Sequence, residues 1–187
     1  MALKATIHKA QIQLADMDRS VYRELGLTIA RHPSETDERM MMRVLACALH
    51  APADDDGGAL ELAKSLWDTD EPDLWQKDLN GQIVHWIDVG QPDERRILRA
   101  RARAARVTVL AYASSTPVWW SGLEQRIARA RNVAVWRVDA AQSQALAALA
   151  ERAMQLQVSV QDGHVYVNQD ERTVEIVPQP LKTAEEG

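Results

Sequence analysis

Residues 73–90 read DLWQKDLNGQIVHWIDVG, two alternating runs on either side of Asn80-Gly81. Asn-Gly predicts a two-residue type I′ turn, because both residues tolerate positive φ. With that turn Leu79 pairs with Gln82, which sets Trp75 opposite Trp86 and Asp73 opposite Asp88. A cross-strand aromatic pair stabilises a sheet by about 0.2–1 kcal/mol, whereas like charges directly opposed, with Cβ atoms about 5 Å apart, repel. A bound cation or a raised pKa on one partner relieves such repulsion. Strands that fray before Asp73 relieve it too, by leaving both carboxylates in water.

The next stretch, PDERRILRARARAAR at 92–106, predicts a helix. Pro92 suits its first turn, Asp93 and Glu94 suit its positive end, and the arginines follow. Arg95, Arg99, Arg103 and Arg106 fall on one stripe, with Ile97, Leu98, Ala100 and Ala104 able to face inward. That stripe suits phosphate contacts; the plainer account is a solvated face with i, i+4 ion pairs.

Upstream, Lys4 to Leu14 alternates as a half-buried strand, and GLTIARH at 26–32 predicts a second strand antiparallel to it. Pro33 and Ser34 predict a helix start, with Ser34 as N-cap and an acidic first turn, running to about His50. Met41, Leu45 and Ala48 form its core stripe; Glu38 points to the same side, while Glu35, Arg39 and Arg43 can pair with one another. APADDDGG at 51–58 predicts a solvated acidic turn. Gly58, Lys64 and Ser65 fall at phosphate-loop spacing, but Ala63 replaces the second glycine and an acidic run precedes it, which excludes phosphate binding. Leu60 to Trp67 predicts a strand, with a helix as the alternative.

Downstream, Val107 to Ala113 and Val133 to Val138 predict buried strands, each followed by a helix, from Thr116 to about Arg131 and from Asp139 to about Met154. This β-α-β-α order implies parallel pairing. Gln155 to Gln161 alternates strictly; Asp162-Gly163 predicts a hairpin turn to Val165–Val167, and Arg172 to Val177 a further strand. From Pro178 the polar end predicts a frayed tail.

The 187 residues are expected to form one domain, with a core at about 34–113, a β-rich extension at about 155–177 and the tail at 178–187. A net charge of −5 argues against non-specific coating of nucleic acid, although the clustered arginines allow a local basic face. One cysteine, Cys47, excludes an internal disulfide framework and suits a reducing cytoplasm. The absence of a charged-then-apolar leader and of a long apolar run predicts neither secretion nor a membrane span. GxSxG and HExxH are missing, and the five histidines show no ligand spacing.

RHPSETDERMM, DEPDLW and IDVGQPDERRI, in this order, resemble the YaeQ family of small proteins from Gram-negative bacteria. The resemblance covers essentially the whole chain. It implies an α/β (α+β) fold: a mixed sheet flanked by helices, a variant of the PD-(D/E)xK restriction-endonuclease-like core, ordered helix, three strands, helix, strand. In that superfamily a helix glutamate and two strand acids hold Mg²⁺, which activates water against a phosphodiester while a lysine assists. By resemblance Glu38 takes the helix position, Pro72-Asp73 is the PD, and Asp88 opens the (D/E)xK triplet. Gly90 stands where the lysine belongs, so that Lys77, Arg95 or Arg99 would have to replace it.

Two functions are therefore expected. One is a Mg²⁺-dependent phosphodiesterase or nuclease, with Glu38, Asp73 and Asp88 on the metal and nucleic acid against the Arg95, Arg99, Arg103, Arg106 stripe. The other is a non-catalytic interaction or regulatory protein with a protein partner, retaining the nuclease-like fold.

Overall fold

Alternation along the N-terminal stretch builds a long antiparallel pair, β1 (Thr6–Asp16) and β2 (Val21–Arg31). On β1 the even positions His8 to Asp16 are buried and point to one face of the sheet. The computed structural model describes residues 4–185. Helix α1 (Asp37–His50) follows, and its cap is Thr36 rather than Ser34: the Thr36 hydroxyl accepts from the Arg39 N–H at 3.1 Å. His32 captures Ser34 instead, its Nδ1 lying 2.7 Å from the Ser34 hydroxyl. Nine consecutive residues of α1, Met40 to Ala48, are buried, so the helix is covered on all sides and not only along the expected stripe. Buried Arg43 is matched by Glu35, which also binds Arg39 at 2.8 Å. Arg19 closes the far end of α1, donating to the carbonyls of Ala51 at 2.9 Å and Ala48 at 3.4 Å, while Asp16 holds its guanidinium.

The region 60–67 divides into a short strand, β3 (Leu60–Leu62), and a single 3-10 turn, Ser65–Trp67. Strands β4 (Leu74–Lys77) and β5 (Ile83–Val89) precede α2 (Glu94–Arg103) and β6 (Ala104–Ala111). α2 ends before Arg106, which therefore lies on a strand. The Asn132 amide binds the carbonyls of Arg101 and Ala104, both at 3.1 Å, and its own carbonyl accepts from the Val107 N–H, so the helix is closed from outside. α3 (Thr116–Leu123) also stops early, and Leu123, Ile127 and Ala130 stay buried through a run of tight turns to β7 (Val133–Arg137).

α4 (Ala140–Ala147) gives way to β8 (Ala153–Gln161), so Met154 is a strand residue paired with Ala10. Parallel pairing of β8 with β1 outweighs the helix preference of the alanine-rich run. The Asp162-Gly163 turn has positive φ at both residues, 51° and 75°, and leads to β9 (His164–Gln169) and β10 (Arg172–Ile176). The tail expected to fray carries β11 (Gln179–Lys182), antiparallel to β7. The Lys182 ammonium anchors it on the carbonyls of Ala130 at 2.8 Å and Val133 at 2.9 Å. The last two tail residues, 186–187, lie outside the described residues.

The protein is thus α+β, with two mixed sheets and four α-helices among the described residues. It divides into two compact units. The first holds the described residues up to Ala53 together with Ala141–Val177, and contains the sheet β10-β9-β8-β1-β2. The second holds Asp54–Ala140 and the described residues from Pro178, and contains the sheet β11-β7-β6-β5-β4-β3, in which β6 and β7 run parallel as expected and β5 runs parallel to β6 as well. The order helix, three strands, helix, strand is present as α1, β3, β4, β5, α2, β6, with α1 belonging to the first unit. No helix among the described residues is long and apolar enough to cross a membrane.

Burial pushes the Cys47 thiol up to about 12, against a smaller opposite effect of the Arg23 charge. At pH 8 such a thiol holds about a thousandth of the thiolate of a free cysteine. Ellman's reagent should therefore label the native protein at the rate of local opening and the urea-unfolded chain at once; equal rates would show that α1 is not buried.

Candidate functional site

The hairpin of the second unit sets the site. Trp75 faces Trp86 and Leu74 faces Ile87, as the sequence predicts, and the two indoles meet edge to face with centroids 6.3 Å apart. The turn that was expected to set this register is absent. Asp78 spans a wider loop, its carboxylate accepting from the N–H groups of Asn80 at 2.8 Å and Gln82 at 2.9 Å, and only Gly81 has positive φ. A bulge beside Lys77 absorbs the extra residue, so the register beyond it is the one that the turn would have given.

Asp73 lies one residue ahead of β4. Its N–H donates to the Ile87 carbonyl at 3.1 Å, which keeps it beside Asp88 on the neighbouring strand. Both residues are 2% exposed, so neither carboxylate is left in water although β4 itself begins only at Leu74. Each has donors built into the chain. Asp73 accepts from the Ser65 hydroxyl on one oxygen and from the Val89 N–H, at 2.7 Å, on the other. Asp88 is gripped bidentately by Arg96, Nε at 2.8 Å and Nη2 at 2.9 Å. Burial holds the Asp88 carboxyl above its ordinary pKa; the Arg96 hydrogen bond and charge pull it down, and the Asp73 charge pushes it up again.

Arg96 and Ser65 are the two residues that periodicity missed. Arg96 stands one position off the exposed stripe, next to buried Ile97 and one turn before buried Ala100. That spacing was present in the sequence and points Arg96 toward the sheet. The N-cap Asp93 accepts from the Arg96 N–H at 2.8 Å and fixes it in the first turn. Ser65 had no signal beyond its polarity; a backbone φ of 46° turns it onto Asp73.

The other expected site residues are placed as follows. Glu38 is half-buried in the first turn of α1, in the first unit. Lys77 is exposed and lies 3.7 Å above the Trp75 ring. Arg99 is exposed, 3.7 Å from Asp70, and Arg95 is exposed. Arg103 donates to the Asp70 carbonyl at 2.9 Å and stacks over Trp86. Arg106, on β6, lies 3.1 Å from Nδ1 of buried His85, whose Nε2 meets Thr108 at 2.7 Å. Gly90, at the position where the resemblance expects lysine, has φ of +116°, a conformation that an L side chain adopts only under strain. Two hard carboxylates suit Mg²⁺ in kind. As placed, however, all four of their oxygens face protein donors, and among the described residues no group of three or more His, Cys, Asp or Glu is arranged to hold a metal ion.

Removing Arg96 leaves Asp88 buried without its partner, so Arg96→Ala should cost about 3 kcal/mol in urea denaturation at pH 7. Asp88→Asn added to it should recover much of that loss. Without Arg96 the Asp88 pKa rises further, and the folded form then holds a proton that the unfolded chain releases at lower pH. The deficit of Arg96→Ala should therefore shrink as the pH falls from 7 toward the ordinary carboxylate range. A pH-independent deficit would show that Arg96 acts by packing alone.

The comparisons with known proteins agree with one another. The YaeQ protein family model matches residues 1–178. The chain is 40% identical over 177 residues to the uncharacterized protein YaeQ of Escherichia coli K12, covering 94% of this chain and 95% of that one. The Salmonella typhi protein of the same description matches at the same identity and the same coverage. Among solved structures, the YaeQ protein of Xanthomonas axonopodis pv. citri superposes with a TM-score of 0.91 at 42% identity, covering 97% of this chain and 100% of that one. The YaeQ protein from Pseudomonas syringae gives 0.89 at 37% identity, over 96% and 97%. Similarity of sequence and of fold over nearly the full length places this chain in the YaeQ family.

Proposed function

We propose that this YaeQ-family chain is a non-catalytic binding protein of the cytoplasm that holds a nucleic acid against the arginines of α2, and that Asp73 and Asp88 are structural. The observation that carries the proposal is the saturation of the acidic pair by Arg96, Ser65 and the Val89 N–H. A carboxylate held bidentately by a guanidinium is neither an open metal ligand nor a general base. The glycine-only backbone at Gly90 supports the same view, because a lysine is strained there. On this account the element order shared with PD-(D/E)xK nucleases marks a retained scaffold without its chemistry.

The partner follows from α2. Its ten residues hold five arginines against one glutamate, and Arg95, Arg99, Arg101 and Arg103 are exposed. Arg126 and Arg129, also exposed, extend the positive surface; Glu94 offsets Arg126 at 3.0 Å. Such a surface binds phosphates by releasing counterions.

The second reading, a Mg²⁺-dependent phosphodiesterase, draws on the same buried pair of aspartates. A metal there has to displace Arg96 and Ser65.

Fluorescence anisotropy with labelled single- and double-stranded DNA and RNA tests the proposal. Binding should weaken steeply between low and moderate salt, and the triple variant Arg95→Ala, Arg99→Ala, Arg101→Ala should reduce the slope of log K against log salt by about 2–3. Binding of none of the four probes at low salt ends the nucleic-acid assignment. Calorimetric titration with Mg²⁺ and Mn²⁺ tests the structural role: heats lost in Asp73→Asn with Asp88→Asn would return these aspartates to a metal site.

A further inference from the structure

The first unit carries a second surface of different chemistry. One face of its sheet packs inward through Ala10, Ile12, Leu14, Met154, Leu156 and Val158, all buried. The opposite face of the same central strands is open and built of amides. Parallel pairing sets Gln11 beside Gln155 and Gln13 beside Gln157, and antiparallel pairing sets Asn168 beside Gln157. Gln11 lies across Gly26 of β2, where a Cβ would stand 3.4 Å from its amide. The amides of Gln13, Gln155, Gln157 and Asn168 make no hydrogen bond to another described residue.

We propose that this face binds a neutral, hydroxyl-rich ligand, an oligosaccharide, in two contiguous depressions that share Gln13, Gln157 and Asn168. The depressions measure about 270 and 290 Å³. One adds Gln155 and Asp170 to the shared amides, the other Ser159. Each is slightly below the ~300–1,000 Å³ of sites for drug-sized ligands, a size that suits one sugar ring. Two joined depressions suit a chain of rings.

The chemistry selects the class. A side-chain amide offers two donors and an acceptor in one plane, which matches a pair of neighbouring hydroxyls. Tyr166, opposite Ser159, supplies an aromatic flank. Its ring is stacked on His164 with centroids 6.4 Å apart, and His164 is held by Glu175 at 2.7 Å. Tyr22, opposite Ala15, is 63% exposed on the same face. Charge argues against a nucleic acid or an acidic membrane here. Glu24, Asp170 and Glu175 border the amides, and Lys9 is the one lysine or arginine among the residues paired across this face. A second copy is disfavoured because homodimer interfaces are more apolar than this array.

Titration of the ¹⁵N-labelled full-length protein with maltotriose, cellotriose and triacetylchitotriose, each to about 20 mM, is the test. At least one sugar should shift the side-chain amide resonances of Gln13, Gln157 and Asn168. Gln157→Ala with Asn168→Ala should weaken that binding at least tenfold at an unchanged melting temperature, whereas Gln161→Ala, outside both depressions, should not. Absence of shifts with all three sugars, shifts confined to other residues, or equal affinity in the double variant would overturn the proposal. So would a dimer in sedimentation that Gln157→Arg dissociates. The surface lies in the first unit and the arginines of α2 in the second, so failure here leaves the nucleic-acid reading untouched.

Discussion

Two carboxylates buried side by side need positive charge and hydrogen-bond donors close at hand, because removing an ion from water costs several kcal/mol even after relaxation. Arg96 supplies the charge from within the chain. Besides gripping Asp88, its guanidinium donates to the carbonyls of Thr69 at 2.8 Å and Glu71 at 3.0 Å. One side chain thus ties a strand, a helix and the segment between the 3-10 turn and β4. Arg103 repeats the tie one face further along, through Asp70 and the Trp86 ring. The acidic pair is therefore the point to which α2 and the 68–71 segment are fastened.

The same pairing shapes the functional reading. A metal-dependent hydrolase needs carboxylate oxygens free to take a cation and a position from which water attacks. Here those oxygens are committed to Arg96, Ser65 and the Val89 N–H, and the neighbouring glycine is required by its backbone. Away from that pair, the two units offer different kinds of surface. The second presents exposed arginines on α2; the first presents uncharged amides with an acidic border.

Much of this was legible in the residues because it depends on local pattern. The alternation of β1 and β8, the parallel pairing of β6 and β7, the Asp162-Gly163 turn and the Glu35–Arg39–Arg43 pairing all follow from short-range spacing. Trp75 and Trp86 met as expected although their turn did not form, because the bulge beside Lys77 absorbs the extra residue of the loop that Asp78 spans. The ends of α2, α3 and α4 were less legible. Asn132 closes α2 from a site 28 residues beyond Ala104, and pairing with β1 claims Met154 for a strand.

The sequence by itself determined the family, most of the strands and helices, and the register that sets Trp75 opposite Trp86, because motif order and residue periodicity are properties of neighbours along the chain. Only the tertiary structure decided what Asp73 and Asp88 face. Arg95, Arg96 and Arg99 differ in the sequence only by their spacing from Ile97 and Ala100, and the difference between a solvated arginine and a buried ion pair is a rotation of about 100° per residue around one helix. The packing of Ile97 and Ala100 against the sheet sets that rotation, and with it turns Arg96 onto Asp88.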